Sequence, residues 1–65
     1  MDRDLLKKFI KDSVFTQEDI AELAGIPSQT WYWRLRNNKF MVSDLISVID
    51  LLDLSNEQIL KLLGR

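Results

Sequence analysis

Cysteine and histidine are both missing from this 65-residue chain. Without cysteine, neither a disulfide nor a thiolate-bound metal can staple the fold. Without histidine, the commonest general base and metal ligand is gone as well. Proline occurs once and glycine twice, and each falls where a helix would start or stop. No apolar run is long enough to span a membrane, and the opening MDRDLLKK lacks a signal-peptide profile. A cytosolic location is therefore the default expectation. What remains is one small domain, residues 1–65, held by packed apolar side chains and helped by any self-association.

Charge of one sign is scarce only locally. The net charge is −1, which argues mildly against a nucleic-acid partner. Residues 1–22 carry four basic and six acidic groups, and residues 44–65 carry two basic and four acidic. Between them, residues 23–43 carry Arg34, Arg36 and Lys39 and no acid. That stretch is a local positive patch on an acidic body. Local potential governs docking to phosphate, whereas net charge chiefly sets long-range steering and non-specific affinity.

Five short helices fit the apolar periodicity, with no strand or repeat. The first runs from Arg3 to Asp12, with Leu5, Leu6, Phe9 and Ile10 on one face. Thr16 opens the second with the capping-box pattern TQED, and Phe15 and Ile20 stand at the positions of a hydrophobic staple. Gly25 ends it, because a left-handed turn costs glycine little. Pro27 suits the first turn of a third helix, Pro27 to Arg36, and Asn37-Asn38 supplies turn residues after it. A fourth helix, Ser43 to Leu52, follows the Phe40-Met41-Val42 connector. Ser55 opens the fifth with the pattern SNEQ, and Gly64 closes it.

The third helix has two unlike faces. At about 100° per residue, Pro27, Trp31 and Leu35 line the inner side, where Trp31 and Leu35 wedge it onto helices two and four. Gln29, Trp33 and Arg36 lie opposite, flanked by Tyr32. An outward Trp beside Tyr, Gln and Arg has no structural task visible in sequence. Base readout suits it: Arg36 can pair bidentately with guanine and Gln29 with adenine. Tyr32 and Trp33 can pack on thymine methyls or ribose. Arg34 and Lys39, nearer the edges, and Asn38 in the following turn are expected to touch phosphates. Gln17, at the start of helix two, can clamp a phosphate where free amides favour an anion. The alternatives are a solvated charged face, and for Trp33 an interface with protein.

The segment resembles the Cro/CI-type (xenobiotic-response-element) helix-turn-helix family of phage repressors and related bacterial regulators. The likeness lies in Gln17, Ala21, Gly25 and Ile26, which match its Q-x-x-x-A-x-x-x-G-I core. It continues in TWYWRLRNNKF, residues 30–40, and in the tail LISVIDLLDLSNEQILKLL. About residues 16–63 are covered. Trp33 stands where the small-phage variant carries a basic residue, and Arg34 takes a place that is apolar in many relatives. The resemblance implies an all-α, five-helix lambda-repressor-like fold with the helix-turn-helix at about 16–36. It also implies binding to double-stranded operator DNA, often as a homodimer, and control of transcription in a bacterial cell. By family position Gln17 would hold phosphate, and Ser28, Gln29, Tyr32 and Trp33 would face the major groove, with Arg36 one turn further along.

Helix four is more apolar than one core face requires. Leu45, Val48, Ile49 and Leu52 form its inward stripe, which leaves Ile46 and Leu51 outside. Leu60 of helix five also points away from its apolar side. A twofold dimer burying Ile46, Leu51 and Leu60 is the expectation, against a small domain that wraps both faces itself. No enzyme is expected: the carboxylates scatter over helix ends, and neither a nucleophile nor a glycine-rich phosphate loop accompanies them. No cofactor or metal is implied. The rival to a DNA-binding regulator is a protein-binding module on the same scaffold, such as an anti-repressor or a phage inhibitor of a host protein.

Overall fold

Side chains at the helix starts cap every element but the third in the computed structural model, which describes residues 1–64. These residues form α1 (Arg3–Lys11), α2 (Gln17–Leu23), α3 (Ser28–Asn37), α4 (Val42–Leu52) and α5 (Asn56–Leu62), with no strand among them. The Asp2 carboxylate caps α1 by accepting from the Leu5 amide at 3.1 Å. Thr16 and Asp19 close the expected capping box of α2 in both directions, at 3.1 and 2.9 Å. Ser55 and Gln58 do the same for α5 at 3.2 and 2.9 Å. Each box satisfies two amides that no helical carbonyl can reach.

Left-handed residues stop α2, α3 and α4. Gly25, at φ +74, lets the Ile26 amide donate back to the Ala21 carbonyl at 2.8 Å and turns the chain into α3. Asn38 and Asp53 take the same conformation without being glycine, at φ 53 and 51. Short polar side chains tolerate that region best after glycine. Pro27 precedes α3 as its N-cap, in extended conformation, and is exposed. It thus stands one position outside the helix expected to begin with it, and off the inner row.

One core collects a stripe from every helix: Leu6 and Ile10, Ile20 and Ala21, Trp31 and Leu35, Val48, and Leu62, with Ile26 from the turn. Each large aliphatic buried here contributes about 1.5–3 kcal/mol relative to exposure. Trp31 is fully enclosed, and its ring lies 4.9 Å from that of Phe40 at a tilted 59°. Leu45, Ile49 and Leu52 of α4 are half-buried beside Val48. Leu51, expected outside this stripe, also packs against the core, because α4 is embraced on more than one side. The N-terminal segment is tied down twice, by the Asp2 amide on the Leu62 carbonyl at 2.8 Å and the Asn38 side-chain amide on the Met1 carbonyl at 3.0 Å. No helix of the described residues is long and apolar enough to cross a membrane.

Candidate functional site

The inner row of α3 fixes what its outer row can do. Trp31 and Leu35 are anchored in the core, so Ser28, Gln29, Tyr32, Trp33 and Arg36 all lie exposed on the remaining faces. Trp33 is 52% exposed and Tyr32 38%. This is the division expected from helical phase. It also rules out core burial of Trp33.

Two contacts join this face to α2. The Trp31 indole N–H donates to Gln17 Oε1 at 3.1 Å. With its oxygen so held, the Gln17 amide nitrogen is the end left to point outward as a donor. The Tyr32 hydroxyl donates to the Glu18 carboxylate at 3.3 Å. Partial removal from water, followed by the negative charge and hydrogen bond of Glu18, holds the Tyr32 hydroxyl above the ordinary tyrosine range. It stays a neutral donor at neutral pH.

Beside this edge, an open cleft of about 410 Å³ is lined by Arg3, Lys7, Gln17, Tyr32, Leu35 and Arg36. The Arg3 guanidinium donates to the backbone carbonyl of Arg36, which holds the start of α1 against the last turn of α3. Lys11 continues the same flank of α1, bordering a second depression with Lys7, Thr16 and Gln17. Among the described residues the ion pair is Arg34 with Asp44, so no carboxylate lies within ion-pair distance of Arg3, Lys7, Lys11 or Arg36.

Two expected phosphate contacts are otherwise engaged. Arg34 donates to Asp44 Oδ2 at 2.7 Å, and the same oxygen accepts from the Met41 amide at 3.1 Å at the start of α4. Its guanidinium therefore joins α3 to α4 instead of standing free for a phosphate. Asn38 turns its side-chain amide onto Met1 and closes α3. Lys39 is exposed just beyond, and Gln17 is half-buried with one end open. Of the residues expected at a twofold interface, Ile46 and Leu60 are exposed at 61% and 50%, whereas Leu51 is partly buried in its own core.

Residue counts along the chain missed the flank of α1, because Asp2, Asp4 and Asp12 offset its cations in sequence. The usable signal was spacing: Arg3, Lys7 and Lys11 recur every four residues and so share one helical face. Compared with known proteins, the chain matches no family model, no curated protein and no solved structure.

Proposed function

We propose that this chain is a sequence-specific DNA-binding regulator of transcription, with α2 and α3 acting as a helix-turn-helix of the Cro/CI type. In this reading α3 enters the major groove of operator DNA, as in a small phage repressor, and two copies bind together. The observation that carries it is the polarity of α3. Its inner row is locked in the core, while Gln29, Tyr32, Trp33 and Arg36 face solvent beside cations that no carboxylate of the described residues pairs with.

Each group then has a chemical task. Gln29 presents an amide suited to bidentate pairing with adenine, and Ser28 a hydroxyl suited to several bases. Trp33 offers an apolar ring to a thymine methyl or the sugar edge, with Tyr32 beside it. Gln17 and Lys39 supply donors for backbone phosphates, which set register without reading sequence. Ile46 and Leu60 are the exposed apolar groups available to a twofold contact.

A second reading rests on a specific observation. Met41 and Val42 are exposed at 58% and 73%, which with Trp33 gives apolar surface that a protein partner could cover. Selection from a pool of randomised duplexes separates the two. The DNA reading expects enrichment of a sequence, and Gln29→Ala should relax one position of it by ~1–3 kcal/mol. A pool that yields no enriched sequence and no salt-dependent binding would overturn it in favour of the protein-binding module.

A further inference from the structure

Three of the four cations of α1 fall on one track. Arg3, Lys7 and Lys11 advance along α1 by about 6 Å per four residues, at 1.5 Å each. Arg36 reaches the same cleft from α3, held beside Arg3 by the hydrogen bond of the Arg3 guanidinium to the Arg36 carbonyl. Gln17 also lines the cleft, and because the Trp31 indole occupies its oxygen, its amide nitrogen is the polar end left for a partner. The polar lining of the cleft is thus made of donors, and the Tyr32 hydroxyl among them donates to Glu18. Four like charges with no carboxylate within ion-pair distance among the described residues repel one another. That cost falls away when a polyanion displaces their counterions.

We propose that Arg3, Lys7, Lys11 and Arg36 form a docking track for the sugar-phosphate backbone of duplex DNA, with α1 as a second arm of the interface beside α3. The inference rests on the DNA-binding reading and changes one assignment within it. Arg36 belongs to the backbone track and not to base readout, because its edge of α3 faces α1 and Gln17. Base discrimination is left to Ser28, Gln29, Tyr32 and Trp33. The occupant is a phosphodiester chain and not a single anion, because the cations run on from the cleft of Arg3, Lys7 and Arg36 to Lys11 on the neighbouring depression. The track also accounts for how a chain of net charge −1 engages DNA.

The test is binding of the full chain to a short mixed-sequence duplex across a range of salt, with fluorescence anisotropy as readout. Neutralising Lys7→Gln and Lys11→Gln together should weaken binding to every sequence and flatten the slope of log K against log salt by ~1.8, at about 0.9 for each phosphate contact. Arg36→Gln should act the same way, with the base preference from randomised-duplex selection unchanged. Lys8→Gln and Lys61→Gln, off the track, serve as controls that leave the slope as it is. Circular dichroism confirms that each variant is folded. If the parent selects a DNA sequence but Lys7→Gln/Lys11→Gln keeps the parental slope, the track is refuted and the DNA reading stands. If Arg36→Gln relaxes preference at one base, Arg36 returns to base readout and the track loses that member. A parent that binds no duplex at low salt overturns both.

Discussion

Asp44 is the place where a single carboxylate joins two helices, and replacing it should separate two contributions to stability. Its Oδ2 accepts from the Met41 amide at 3.1 Å and from Arg34 at 2.7 Å. Loss of a helix cap costs about 1 kcal/mol. The ion pair lies between two limits, about 0–1 kcal/mol for an exposed pair and about 3–5 for breaking a buried one. With the Arg34 and Asp44 side chains 24% and 10% exposed, it belongs between them. A contribution of ~1–2 kcal/mol follows. Asp44→Ala should therefore cost ~2–3 kcal/mol, a large share of the roughly 3–10 available to a chain of this length. Asp44→Asn keeps an acceptor for the Met41 amide and loses only the charge, so it should cost ~1–2 kcal/mol. Urea unfolding followed by circular dichroism measures both, provided the slope with denaturant is unchanged. A double-mutant cycle with Arg34→Met should return a coupling of ~1 kcal/mol. Coupling below about 0.3 kcal/mol would refute the account, since distant sites already add to within that margin. Arg34→Met should also leave the salt dependence of DNA binding unchanged, because the guanidinium is committed to Asp44.

Three other outcomes follow from local geometry. Gly25→Ala meets no atom within 4 Å, so its cost is conformational: φ +74 should make it ~1–2 kcal/mol, read as a lower urea midpoint. Trp33→Ala should change stability by less than ~0.5 kcal/mol while weakening whatever partner the face engages, which thermal melts and binding titrations check together. Tyr32 is the only tyrosine, so ultraviolet absorbance against pH reports its ionisation alone. The transition should lie above the ordinary tyrosine range, and Glu18→Gln should lower it part of the way, because partial removal from water remains. The sign for stability follows from the raised folded value. Tyr32 contributes fully below the ordinary tyrosine range, and the contribution is lost as pH rises through the folded value.

Helix order and the α3 faces were legible because they depend on local rules. TQED and SNEQ become working capping boxes, Gly25 becomes a left-handed stop, and the 100° periodicity puts Trp31 and Leu35 inside. Partnerships between distant side chains were not legible. Nothing in a linear pattern says that Arg34 will find Asp44 ten residues later, or that Asn38 will reach back to Met1. Leu51 departs from the expected stripe for a related reason. A helical wheel assumes one buried stripe, whereas α4 packs over a wider arc, with Leu51 against the core and Val42 and Ile46 outside.

Net charge hides the positive cleft for a reason rooted in helix capping. Acids stabilise helix starts and bases helix ends, because the peptide dipole is positive at the first turn and negative at the last. The helix starts follow that pattern, though Asp12, Glu22, Asp50 and Asp53 stand at helix ends: Asp2 and Asp4 open α1, Glu18 and Asp19 open α2, Asp44 opens α4 and Glu57 opens α5. Only α3 begins without an acid, and it carries Arg34 and Arg36 in its last turn. Asp2, Asp19 and Asp44 are further tied to the amides they cap. The bases, by contrast, lie along the flank of α1 and at the end of α3, and the fold brings those two places together through Arg3 and Arg36. Capping thus commits part of the acidic charge to the helix starts before any partner is present. The resulting surface holds a positive cleft on a molecule whose total charge is negative, and its field falls off within about 10 Å at moderate salt. Such a protein should select its partner at short range, with less long-range pull toward arbitrary DNA than a uniformly basic domain would exert.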